Sequence, residues 1–106
     1  MVENIDSTII EVANKYIAEV KKHYDVDSAF LFGSFVIGNT HEGSDIDIAI
    51  VSKDIRNSYH ERLNMMRMRW DIDLRIEPHP ICIKDYNQNK TFLVDEIKKH
   101  GIKLHA

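Results

Sequence analysis

Cysteine is nearly absent. Cys82 stands alone among 106 residues, so no disulfide forms within the chain. It sits in the apolar run Ile81-Cys82-Ile83 and reads as a small buried hydrophobe rather than a nucleophile. Only 2 prolines and 4 glycines occur, and there are no repeats, low-complexity segments or linkers. Residues 1–106 are therefore expected to form a single domain. No apolar run approaches the roughly 20 residues of a membrane-spanning helix, so no membrane association is expected. The start, Met1-Val2-Glu3-Asn4-Ile5-Asp6, lacks a basic region followed by an apolar one, and the expected location is the cytoplasm. A basic block is missing too. Lys and Arg number 14 against 17 Asp and Glu, for a net charge of -3. A polymerase-like grip on nucleic acid relies on cations neutralising phosphates, so direct nucleic-acid binding is not expected. What remains is 43% hydrophobic and 29% charged, the balance of an ordinary globular domain. A chain this short is expected to bury one core and to leave little for a second lobe.

The apolar pattern predicts alternating helices and strands. Asp6, Ser7 and Thr8 offer caps, Thr8 and Glu11 have capping-box spacing, and Ile9, Ala13, Tyr16, Ile17 and Val20 form a helical stripe. Ala29-Phe30-Leu31-Phe32, closed by Gly33, reads as a buried strand, and Ser34 to Ile37 as one helical turn before Gly38. From Asp45 to Val51 the chain alternates. Ile46, Ile48 and Ile50 point one way, and Asp45, Asp47, Ala49 and Val51 the other. Asn57 and Ser58 cap a second long helix, whose expected core stripe is Tyr59, Leu63, Met66 and Trp70. The cluster Met65, Met66, Met68 and Trp70 reads most simply as helix packing, with a partner surface as the alternative. Alternation returns over 71–77, a third strand expected to end at Pro78 and Pro80, because proline cannot donate to a sheet ladder. Ile81 to Ile83 suggests a short edge piece. A last helix over 91–100, with apolar face Phe92, Leu93 and Ile97, is closed by Gly101 as a C-cap glycine. Ile102 to Leu104 suggests a final short strand.

Two aspartates one residue apart on a strand project from the same face, within about 7 Å. Asp45 and Asp47 can thus converge on magnesium, which takes oxygen ligands. Taken alone, the same pattern also describes a solvated polar face. Gly33-Ser34 lies ten residues upstream. Glycine lets the backbone approach a ligand, and a serine opening a helical turn offers a hydroxyl and an amide to phosphate oxygens. Together the pieces describe a triphosphate clamp beside a metal-binding strand. The six histidines, at 23, 41, 60, 79, 100 and 105, lack zinc-ligand spacing and read as surface residues. His41, in the loop before the aspartates, is the one placed to touch a nucleotide.

Leu31-Phe32-Gly33-Ser34, then Gly38, then Ser44-Asp45-Ile46-Asp47-Ile48 resembles the signature of the DNA polymerase beta-like nucleotidyltransferase superfamily. The small size and the spacing are similar to those of the minimal nucleotidyltransferases, which are often antitoxin partners of HEPN-domain ribonuclease toxins. The likeness covers nearly the whole chain. Its motifs are specific for the superfamily and less so for the substrate. It implies an α/β (α+β) nucleotidyltransferase core, a small mixed sheet flanked by helices. It implies that Asp45, Asp47 and a third carboxylate on a neighbouring strand are catalytic and hold Mg2+, in all two ions, while Gly33 and Ser34 join the aspartates in binding ATP. The segment matching the third carboxylate is Asp71-Ile72-Asp73-Leu74, with Asp73 the better fit and Asp71 in reserve. One departure is visible. Relatives often carry a basic or hydroxylated residue after the serine, whereas Phe35, Val36 and Ile37 are apolar. Arg75 either supplies the missing charge or pairs with a strand neighbour.

The resemblance implies Mg-dependent transfer of a nucleotide, with an acceptor hydroxyl attacking the α-phosphorus in line. A chain with no room for an acceptor lobe is expected to find its acceptor on another polypeptide. The leading expectation is AMPylation of a tyrosine on a HEPN-type toxin, which silences it. The alternatives are an antitoxin that neutralises by contact alone, and a small-molecule nucleotidyltransferase acting on aminoglycoside-like acceptors.

Overall fold

A computed structural model describes residues 7–38 and 44–105. His41 and Asp6 therefore lie outside the described residues. Helix α1 (Ser7–Val20) buries Ile9, Ala13, Tyr16, Ile17 and Val20, the stripe expected from the sequence. It starts at Ser7, so Thr8 is already helical rather than capping. Strand β1 (Val26–Phe32) leads into the short helix α2 (Ser34–Ile37), and β2 (Ile46–Ser52) into α3 (Ser58–Met68). Strand β3 (Ile76–Cys82) follows, then α4 (Ile83–Asn87), α5 (Phe92–His100) and β4 (Ile102–Lys103).

The sheet order is β3-β2-β1-β4. β1 runs antiparallel to both β2 and β4, while β2 and β3 are parallel. This is the small mixed sheet with flanking helices that the sequence implied. Parallel neighbours need a long crossover, and α3 supplies it. One sheet face packs Leu31, Ile46, Ile48, Ile50 and Ile76 against α1 and Met65 of α3. The other packs Phe32, Ala49, Val51 and Ile81 under Val94 and Ile97 of α5. Each alternate residue of β2 is thus committed to one of two cores. Asp47 is the polar residue left on the α5 side, near the strand's start.

Several expectations are corrected. The third strand is 76–82, not 71–77; residues 71–75 form turns before it. Its prolines do not end it because β3 is an edge strand. The Ile76 carbonyl points away from β2, where Arg69 Nη1 donates to it at 2.7 Å. Pro78 and Pro80 share the parity of Ile76, so their missing N–H groups fall on the open edge, where proline is tolerated. In α3, Met65 is the buried residue, while Tyr59 and Leu63 face solvent, as does Trp70 in the turn after the helix. In α5, Val94 and Ile97 are buried and Phe92 is exposed. Thr91 caps that helix, its hydroxyl accepting from Val94 N at 3.2 Å. Gly101 is the C-cap as expected, its N–H donating to the Ile97 carbonyl at 2.8 Å, but at φ -67° rather than left-handed. It is glycine because a Cβ there would strike the Ile97 carbonyl.

Candidate active site

The site is built where β1 ends and β2 begins. Gly33 sits between β1 and α2 with φ +79°, a conformation that glycine adopts without a Cβ penalty. A Cβ at Gly33 would also collide with the Asp47 Oδ2, with Asp47 Cγ at 3.1 Å. The β1–α2 turn therefore passes directly over the Asp47 carboxylate. Gly38, also at φ +79°, gives α2 a left-handed C-cap. Val36 is buried and Phe35 packs against the same core. Phe35 and Val36 thus anchor the turn rather than face a ligand.

Asp45 is exposed just before β2, and Asp47 lies half-buried two residues on. Strand β3 brings two further groups. Asp47 is in register with Glu77, so their side chains emerge from the same sheet face on strands about 4.8 Å apart. His79, two residues further on, places Nε2 3.1 Å from Asp47 Oδ1. Its ring meets the Phe32 ring edge-on, with centroids 5.0 Å apart. Glu77 is held from the other side by Arg62 of α3, Nη2 to Oε2 at 2.9 Å. Gly33, Asp47, Glu77 and His79 thus meet at one accessible polar spot, with Asp45 two residues before Asp47 and Ser34 opening α2.

Asp73, the expected third carboxylate, stands in the turn before β3. Arg75 binds it through two nitrogens, at 3.1 Å and 2.8 Å, and the Arg75 backbone N–H adds a third bond at 2.9 Å. The Arg75 guanidinium holds the Asp73 carboxyl below the usual carboxylate range. The question left open for Arg75 is settled as an ion pair. Asp71 is exposed in the same turn region. Glu77, His79 and Arg62 were missed by sequence reasoning. The signal was present in Glu77-Pro78-His79-Pro80, where two prolines of one parity leave Glu77 and His79 together on the other face.

Among the described residues, no three of His, Cys, Asp and Glu converge as a preformed metal cage. Magnesium does not demand one, since it is usually held by one or two carboxylates plus substrate phosphates. The hard oxygen donors of Asp45 and Asp47, with Glu77 beside them, suit that mode.

A glycine turn laid over a carboxylate strand, on a small mixed sheet, defines a nucleotidyltransferase-type site. Residues 14–106 match the family model described as polymerase beta, nucleotidyltransferase, and the chain belongs to that family. A Methanocaldococcus jannaschii protein, assigned provisionally as protein adenylyltransferase MJ0141, is 28% identical over 97 residues, 91% of this chain and 95% of its own. Three solved structures share the fold. A provisionally assigned nucleotidyltransferase from Sulfolobus solfataricus superposes with TM-score 0.64 at 21% identity, over 91% of this chain and 78% of its own. A toxin–antitoxin complex with AMP-PNP gives 0.66 at 23%, over 89% and 73%. A MntA–HpeT toxin–antitoxin complex with two aspartates replaced by glutamate gives 0.59 at 18%, over the same shares.

Proposed function

We propose that this chain is an antitoxin that transfers AMP from ATP to a hydroxyl, that of a tyrosine, on a HEPN-type ribonuclease toxin and thereby silences it. The observation that carries this reading is the Gly33 turn lying over the Asp47 carboxylate. It joins the phosphate-approach element and the carboxylate pair into one site. The family match, the adenylyltransferase relative and the toxin–antitoxin neighbours support the same reading.

In this mechanism Gly33 admits the triphosphate close to the backbone, and Ser34 offers it a hydroxyl. Asp45 and Asp47 hold Mg2+. The third carboxylate, expected at Asp73 with Asp71 in reserve, is supplied by Glu77, since Glu77 is in register with Asp47 while Asp73 is engaged by Arg75. These three carboxylates are the residues that would hold the two ions expected from the family. Magnesium neutralises phosphate charge when bound. The chain's own residues orient the α-phosphorus toward the open side of the sheet. There the toxin hydroxyl, giving up its proton to bulk water on the open side, forms the new O–P bond as the bond to pyrophosphate breaks and pyrophosphate leaves. Orientation and charge stabilisation supply most of the acceleration. His79 fixes the rotamer of Asp47 from the side away from Gly33.

Intact-mass measurement of the toxin after incubation with this protein and magnesium ATP tests the proposal. One AMP increment is expected, and it should vanish with Asp45→Asn plus Asp47→Asn. Absence of an adduct, or its persistence with the double variant, refutes the enzymatic reading. A contact-only antitoxin is the second reading. It is favoured by the packing of Phe35 and Val36 into the core, which leaves the turn after Ser34 without a cation for phosphate. In that case the aspartate variants would still neutralise the toxin.

A further inference from the structure

Helix α3 has an apolar face that the fold does not use. Tyr59 is 76% exposed and Leu63 43%, and beyond the helix Trp70 is 74% exposed and Leu74 is exposed too. Met66 lies half-buried among them. At about 100° per residue, Tyr59, Leu63 and Met66 of α3 fall within one stripe, and Trp70 follows in the turn just beyond the helix end. Met65 points into the core, well to one side of it. The stripe is also bordered by positive charge on both flanks. Arg62 and Arg69 lie on the side of the β3 edge, and Arg67 on the opposite side. Between residues 56 and 70 the sequence carries four arginines and one glutamate, in a chain of net charge -3. Glu61 is occupied, accepting from the Tyr24 hydroxyl at 2.6 Å.

We infer that this stripe is a docking surface for an acidic-flanked amphipathic helix of a partner protein. Scattered exposed apolar residues need no explanation, but a continuous helical stripe does. The charge pattern selects the occupant. In a two-fold pairing of two copies, the same patch appears on both sides. A two-fold axis across the stripe sets each flank against its own counterpart, and one along the stripe sets one flank against the other. In either case arginines face arginines, Arg62 and Arg69 on one flank and Arg67 on the other. Like charges in apposition oppose association. Acidic residues on either side of a leucine-rich helix would instead meet a cation on both flanks. Arg62 also reaches Glu77, so an occupant of this surface lies beside the sheet edge that carries the site.

Trp70 is the sole tryptophan, and its exposure makes its emission the direct reporter. The full chain would be titrated, without nucleotide, with two designed helical peptides. They share one leucine face and differ in having glutamate or lysine flanks. The glutamate peptide should shift Trp70 emission to the blue and bind at least about tenfold more tightly than the lysine peptide, with affinity falling as salt rises. Leu63→Ser should abolish the shift while circular dichroism stays unchanged. Arg67→Glu should narrow or reverse the preference between peptides. Equal binding of both peptides, or binding of neither, overturns the inference. Concentration-dependent dimerisation of the free chain that buries Trp70 also overturns it, in favour of a second copy. Because no nucleotide is present, these outcomes are independent of whether the site transfers AMP.

Discussion

Gly33 bears two constraints at one atom. An alanine there must adopt φ +79° and place its methyl against Asp47. Gly33→Ala should therefore cost about 1–3 kcal/mol of stability, measured by urea unfolding. It should lose ATP binding more completely than it loses fold, because the displaced group is the Asp47 carboxylate. Tyr16 tests a different kind of contact. Its hydroxyl donates to the Met65 carbonyl at 2.6 Å in the core, and burial pushes the phenol well above its usual range. The Met65 carbonyl lies in the last turn of α3, where carbonyls lack helical donors. Tyr16→Phe leaves that carbonyl unpaired and should cost about 1–3 kcal/mol, with little change in activity. Asp73 makes a pH-dependent contribution. Its carboxyl titrates lower when folded because Arg75 bonds the ionised form. Its stabilisation is thus present above the unfolded value, near 3.8, and fades as pH falls through the folded value. Asp73→Asn should flatten the acid limb of the stability curve below about pH 4, while stability at neutral pH drops slightly.

The elements differ in how plainly the sequence announced them. In α1 the stripe of Ile9, Ala13, Tyr16, Ile17 and Val20 is the buried face, because nothing else competes for it. In β2 alternation decides the two faces, since both are covered. Helix α3 defeats the same reasoning. It has two apolar faces, and the stronger one, through Tyr59 and Leu63 toward Trp70 in the turn beyond, points outward. Periodicity identifies a stripe but not what covers it. Met65→Ala should cost about 2–5 kcal/mol, whereas Leu63→Ala should stay within about 0.5 kcal/mol. Denaturant unfolding of the two variants separates the faces directly. Strand β3 was misplaced for another reason. Proline was read as a terminator, yet its effect depends on which way the absent N–H points. With Pro78 and Pro80 on the open edge and Arg69 capping the Ile76 carbonyl, the prolines close that edge to further strand pairing.

At the scale of the whole molecule, the mixed order β3-β2-β1-β4 accounts for where a reactive cluster can form. Helices α1 and α3 cover one face and α5 part of the other, so the polar start of β2 remains accessible between them. Asp45, Asp47, Gly33 and Ser34 were legible because they are close in sequence and belong to consecutive elements. Glu77 was not, because its place depends on the parallel register of β3 against β2, a long-range pairing that local pattern does not specify. Local spacing favoured Asp73 instead, and only the turn at residues 71–75 removes it from the strand.

The central claim is that Gly33, Asp45, Asp47 and Glu77 act as one site for nucleotidyl transfer. It is tested most directly by measuring the rate of AMP incorporation into the toxin with Glu77→Gln and Asp73→Asn in parallel with the unaltered chain. The account predicts that Glu77→Gln loses at least about 100-fold, the scale of removing one preorganised charge-stabilising group, while Asp73→Asn keeps nearly full activity. Full activity in Glu77→Gln with loss in Asp73→Asn would contradict it.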